Sequence, residues 1–320
     1  MVMDKPLARW LIACTQILVS IFLIVFIFLN VDLQNTLQFA LAADTTHLVL
    51  SIISLAALVI PMAIRWRWFI GRFMPSEFVP PDLGLAIRIS TVNVALNQFL
   101  PSTLGGDLYR VIIAKSLGLS LLRSTGVTVA DRLSAFVTLI VISGPALIMT
   151  LASLKVMVWL PQTIIWLGLA AVVVLCLLLL FFAQKYALKF AYAFRVFQSF
   201  LHADGLISSV VFTSLIIQFV TLLVMVVTAK ILGIEIGLFS LFGIMAASLI
   251  AARLPISVAG WGVREGVLVS FLSAYGVAVE KAFATSIIFG LAELAAAMLA
   301  LLFVSSAPVF IRFFLKQSSS

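Results

Sequence analysis

Apolar residues fill six stretches of this chain with hardly a break, at roughly 9–29, 47–64, 126–152, 163–183, 205–229 and 283–306. Each is close to or above the ~20 residues that a helix needs to cross a hydrocarbon core. Within that core a backbone must satisfy its own polar groups, so the pattern predicts six transmembrane helices. Two further apolar regions, about 84–110 and 239–264, are interrupted. Pro101, Gly105 and Gly106 break the first near its end; Pro255, Gly260 and Gly262 break the second at the matching place. Broken backbone at membrane depth survives only where protein or a wet cavity satisfies it. Both regions therefore read as re-entrant hairpins of two half-helices, with an ordinary span and a glycine-rich exit loop as the alternative.

Loop charge selects between these. With the N-terminus in the cytoplasm, the inner segments carry Lys5, Arg9, Arg65, Arg67, Arg72, Arg110, Lys115, Arg123, Arg132, Lys185, Lys189, Arg195, Arg312 and Lys316. The outer segments carry only Lys155, Lys230, Arg264 and Lys281, and Arg88 and Arg253 lie within the hairpins. This bias satisfies the positive-inside rule only if each hairpin returns to the side it entered from. The two halves also match one another. A shift of 154 positions lays Leu100, Pro101, Thr103, Gly106 and Arg110 on Leu254, Pro255, Ser257, Gly260 and Arg264, a shared L-P-x-[ST]-x-x-G-x-x-x-R pattern. Three crossings per half turn the second half upside down. The expected fold is an all-α polytopic membrane protein, a single membrane domain built as an inverted repeat. Each half, 1–154 and 155–320, has three transmembrane helices plus one re-entrant helical hairpin.

Composition agrees. The chain has 320 residues, 64% hydrophobic and 10% charged, with a mean hydropathy of +1.27. A soluble domain of this size needs far more charge on its surface. The net charge of +8 reads as anchoring to an anionic inner leaflet rather than as nucleic-acid binding. The run Trp10 to Leu29 is long enough to span and has no evident cleavage site, so it reads as an uncleaved first helix. Cys14 and Cys176 lie in apolar runs without ligand-spaced neighbours, and His47 and His202 stand alone, so no metal or cofactor is expected. There is no Ser-His-Asp set, nucleotide loop or metal cluster, and the reading is not an enzyme.

The chemistry sits at the breaks. Exposed backbone N–H groups beside glycines and a helix N-terminus suit an anion such as phosphate, and Arg110 and Arg264 add planar, two-pronged donors. Asp107, three residues before Arg110, shares its helix face; Glu265, adjacent to Arg264, is expected to point elsewhere. Asn93 and Asn97 lie one turn apart and suit either a head group or a neighbouring helix. Asp131 and Arg132 read as a local ion pair or as groups closing a cavity. Glu293, among small residues in mid-membrane, is a functional candidate because ionisable groups there are expensive. The candidate substrate-binding residues are Asn97, Ser102, Gly105, Gly106, Asp107, Arg110, Asp131, Arg132, Arg253, Ser257, Gly260, Gly262, Arg264, Glu265 and Glu293. The structural alternative is that they cap half-helices and orient the protein.

"NQFLPSTLGGDLYR", then "ADR" and "LPISVAGWGVREG", resemble the lysylphosphatidylglycerol synthase transmembrane family, over essentially the whole chain. The resemblance implies a flippase-like integral membrane protein. It carries the family pattern onto Asn97, Pro101, Gly105, Gly106, Asp107 and Arg110, then Asp131 and Arg132, then Pro255, Ser257, Gly260, Gly262, Arg264 and Glu265. Larger members add a cytoplasmic aminoacyltransferase domain; the expectation here is a stand-alone member without it, so that lysyl transfer is not implied. Stand-alone members are associated with lipid, hopanoid or lipid-linked sugar export. The expected function is translocation of an anionic phospholipid or lipid-linked head group across a bacterial inner membrane, with both termini cytoplasmic. The alternative is a non-transporting membrane partner of a glycosyltransferase or other lipid-modifying enzyme. A membrane-embedded transferase is the least supported.

Overall fold

The computed structural model describes residues 31–41, 44–74, 79–99, 105–153, 205–253 and 260–305, with isolated positions between 18 and 25. The chain is a multi-pass membrane protein, all-helical among the described residues. Its described helices are α1 (Leu33–Leu41), α2 (Thr45–Ala57), α3 (Val59–Phe73), α4 (Leu83–Phe99), α5 (Gly105–Ser116), α6 (Leu121–Ser153), α7 (Thr213–Ile231), α8 (Leu238–Ala252), α9 (Val263–Ala274) and α10 (Val279–Ser305). A six-residue π-helical stretch, Ile207–Phe212, leads into α7.

Among the described residues four stretches are long and apolar enough to span: Thr45–Phe73, Leu121–Ser153, Ser208–Ile231 and Val279–Val304. They fall on four of the six expected runs. The runs at 9–29 and 163–183 lie almost wholly outside the described residues. The span over 47–64 is longer than expected, because α3 continues α2 past a turn at Leu58 and takes Arg65 with it. Helix α1 was not signalled by the apolar pattern. It starts where Asp32 Oδ1 accepts the N–H groups of Gln34 and Asn35, a side-chain cap of a short helix.

The two interrupted regions each form a pair of short helices packed on one another, α4 with α5 and α8 with α9. They have 17, 12, 15 and 12 residues, roughly 18 to 26 Å each at 1.5 Å per residue. None alone bridges a core of ~30 Å. Pro101, Ser102, Thr103, Pro255 and Ser257 lie outside the described residues. On either side of the first break the backbones touch: a Cβ at Gly106 would overlap the Asn93 carbonyl oxygen on α4. After the second break Gly262 has φ +87°, left-handed backbone that glycine enters without steric penalty.

Two apolar cores result. One gathers Trp66, Phe69 and Ile70 of α3 with Ala86 and Ile89 of α4 and Ala114 of α5. The other gathers Leu222 and Met225 of α7, Leu241, Ile244 and Met245 of α8, Leu268 of α9 and Phe289 of α10. Outward, α6 exposes Leu133, Val137, Val141 and Ile148, the lipid-facing side of a helix whose polar positions Ser124, Asp131, Ser143 and Thr150 are buried.

Candidate functional site

Each apolar core is bordered by a buried cluster of charge. In the first, Asp131 of α6 lies between two arginines. It accepts from Arg65 Nε of α3 at 2.7 Å and from Arg110 Nη1 of α5 at 2.8 Å. Arg65 Nη1 also donates to Ser214 Oγ of α7, at 3.0 Å, and Arg110 Nη2 to Ser90 Oγ of α4, at 2.9 Å. One carboxylate thus ties together five helices, and all five side chains are buried. Arg110 lies 5.7 Å from the Trp66 ring centroid, so an aromatic face covers the guanidinium where no oxygen does. Its Nε is enclosed without a hydrogen-bond partner among the described residues.

At the edge of this cluster Arg132 grips Asp107 with two prongs, Nε to Oδ2 at 2.8 Å and Nη2 to Oδ1 at 2.9 Å. Neighbours in sequence therefore exchange partners. Asp107 does not pair with Arg110 on its own helix, and Asp131 and Arg132 do not form the local pair that their adjacency suggested. Residues 131 and 132 point in different directions around α6, and each meets a different turn of α5. Asn97 Oδ1 accepts the Gly106 N–H at 3.0 Å, so this candidate fastens the hairpin. Gly105 opens α5 beside it.

The second cluster centres on Arg264, the first-turn arginine of α9. Nη2 donates to Glu265 Oε1 at 2.8 Å, Nη1 to Glu293 Oε2 of α10 at 2.9 Å, and Nε to Ser286 Oγ at 3.1 Å. Trp261 and Phe289 rings lie at 5.1 Å and 5.3 Å from the guanidinium carbon. Glu265 corrects an expectation: it turns back to its neighbour instead of away. At the start of a helix the carboxylate reaches back to the N-cap backbone, here Gly262 N–H at 2.6 Å, and this brings Oε1 under the arginine. Gly260 and Gly262 shape the turn before it, each with positive φ.

Between the clusters stands Arg253, at the end of α8. Nη2 donates to Gln218 Oε1 of α7 at 3.0 Å, and Nη1 is enclosed with no partner among the described residues. Gln218 is one turn after Ser214 and also donates to the Ala135 carbonyl of α6 at 3.0 Å. One face of α7 therefore serves both Arg65 and Arg253. Five arginines (65, 110, 132, 253 and 264) meet four carboxylates (107, 131, 265 and 293), and Arg253 is the one outside every ion pair found among the described residues.

Sequence reasoning missed Arg65, Ser90, Ser214, Gln218, Ser286 and Gly290. The loop-charge pattern places Arg65 with the inner loops; it is buried inside a span. Gly290 is needed for space, since a Cβ there would collide with Arg264 Nη2 and lie 2.9 Å from the Trp261 ring. The one available signal was a glycine one turn before Glu293. His47, set aside as a lone residue, meets Thr228 Oγ1 at 3.0 Å across α2 and α7. An open recess of about 430 Å³, lined by Arg67, Trp68, Arg72 and Ser209 among others, shares no residue with either cluster.

A family model described as the lysylphosphatidylglycerol synthase TM region matches residues 14–301. A search among curated proteins gives no match.

Proposed function

The chain belongs to the lysylphosphatidylglycerol synthase transmembrane-region family, and from that premise we propose that it moves an anionic phospholipid or lipid-linked head group across the membrane. The observation that carries this reading is the surplus of buried arginine. Charge within a bilayer is expensive and marks substrate paths. Here Arg110 Nε and Arg253 Nη1 are enclosed donors without acceptors among the described residues, and a phosphate supplies oxygens of the right geometry and sign. The lipid tails remain in the bilayer while the head group passes between the two helix pairs. The protein makes and breaks no covalent bond.

The same reading makes the molecule an inverted repeat with two re-entrant hairpins. The helix limits support it. A shift of 154 carries α4 onto 237–253, where α8 spans Leu238–Ala252, and carries α6 onto 275–307, where α10 spans Val279–Ser305. In both halves the motif arginine reaches a carboxylate on the long helix that follows, Arg110 to Asp131 and Arg264 to Glu293. Rocking of one repeat against the other then exposes the head-group path to each side in turn. The proposed setting is a bacterial inner membrane, with both termini in the cytoplasm.

The test is lipid movement in phosphatidylcholine liposomes that carry a trace of labelled anionic lipid. Arg264→Ala and Arg110→Ala are expected to slow movement roughly tenfold to a hundredfold, the loss of a charge-assisted bond. Arg264→Lys should keep part of the activity, because it keeps charge without the planar fork. Full movement by both alanine variants would remove the phosphate site. Inactivity of folded wild-type protein toward every anionic lipid tried would favour the accessory role beside a lipid-modifying enzyme.

A further inference from the structure

The two carboxylates that neutralise Arg264 are held very differently. Glu265 is locked. Its Oε1 accepts from Arg264 and from Ser286 Oγ, its Oε2 accepts from Gly262 N–H, and only 1% of its side chain is exposed. Glu293 makes one hydrogen bond among the described residues, to Arg264 Nη1, and 28% of its side chain is open. Carboxylate and phosphate oxygens compete for the same guanidinium edge. An arriving phosphate therefore meets one partner of Arg264 that cannot leave and one that can.

We propose that Glu293 is an exchangeable counter-ion, a placeholder that a lipid phosphodiester displaces from the Nη1 edge of Arg264 while Glu265 stays in place. This rests on the reading that Arg264 receives the head group. The displaced carboxylate has a second cation within electrostatic reach, Arg253, whose Nη1 is buried with no partner among the described residues. Glu293 thus passes from one arginine to the other, and the anion it gives way to balances the charge it leaves behind. The exchange links arrival of the ligand to a change of contact between α10 and the end of α8. It also gives the site a means of release: when Glu293 returns, it competes the phosphate off.

The experiment uses the purified full-length protein in detergent and fluorescent phosphatidylglycerol, with fluorescent diacylglycerol as the control lacking phosphate. Flip rates are read in phosphatidylcholine liposomes. Glu293→Gln is expected to bind phosphatidylglycerol about tenfold or more tightly than wild type, because the competing charge is gone. Its flip rate should fall, because nothing reclaims the arginine. A merely structural glutamate would lower both. Binding equal to or weaker than wild type, with binding lost in Arg264→Ala, overturns the placeholder and leaves the phosphate site standing. Tighter binding with an unchanged flip rate overturns it too, since release would not need the carboxylate. If wild type and Arg264→Ala bind phosphatidylglycerol no better than diacylglycerol, the site itself fails and the placeholder with it. Should Glu293→Gln not accumulate, Glu293→Asp keeps the charge but shortens its reach, and binding should tighten less.

Discussion

At the scale of single residues the molecule depends most on Asp131. It is the only carboxylate within hydrogen-bond reach of both Arg65 and Arg110 among the described residues. Asp131→Asn would leave two buried guanidinium groups without a counter-charge, and removal of one partner of a buried pair typically costs about 3–5 kcal/mol. Asp107→Asn should cost much less, about 1 kcal/mol or below, because its partner Arg132 is 46% exposed. Thermal unfolding of the two variants in one detergent checks the order, and equal losses would contradict the central place given to Asp131. Gly290→Ala adds a single methyl where the Arg264 guanidinium lies. It should disturb the second cluster, and with it lipid movement, while leaving the Arg65–Asp131–Arg110 cluster intact.

At the scale of elements four of the six apolar runs were legible among the described residues, because a spanning helix writes its length directly into the sequence. The run at 126–152 became Leu121–Ser153 and the run at 283–306 became Val279–Ser305. The short helices beside Pro101 and Pro255 were legible for the same reason, since backbone breakers stand out in an apolar context. Partners were not. Arg110 meets a residue 21 positions on, Arg132 one 25 positions back, and Arg65 one 66 positions on. Linear spacing favours pairs at three and four, which is why Asp107 was matched to Arg110 and why Glu265 was turned away from Arg264. The sequence also cannot tell an arginine at a membrane edge from one buried within a span, so Arg65 was counted among loop charges. The re-entrant reading has its own check at this scale. Single cysteines between α5 and α6, at Leu117 to Ser120, should label from the cytoplasmic face only, whereas those at Gly276 to Ala278 should label from outside only. Labelling on the same face at both places would undo the inverted repeat.

For the whole molecule, α7 is the shared wall. Ser214 serves Arg65 and Gln218 serves Arg253, on one face and one turn apart. Ser214→Ala and Gln218→Ala should each cost about 1–3 kcal/mol by stranding a buried donor. Only the second touches Arg253, which is outside every ion pair among the described residues, so it should alter lipid movement beyond its effect on unfolding. Parity of the two variants in transport, at matched stability, would argue against a special place for Arg253.

The grip of two arginines on Asp131 has a consequence for how the protein is made. Synthesis proceeds from the N-terminus, so the span with Arg65 enters the bilayer first, Arg110 follows, and Asp131, the carboxylate that holds both, arrives last. An arginine at the centre of a spanning helix resists insertion by about 2.5–3.5 kcal/mol, one nearer its end by less, and until α6 emerges Arg65 and Arg110 repel one another. The early helices are then expected to be committed to the membrane only provisionally, until α6 latches them. A nascent chain halted at Ser120 should be extracted and degraded, one halted at Ser153 should persist, and leucine at positions 65 and 110 should let the shorter fragment stay.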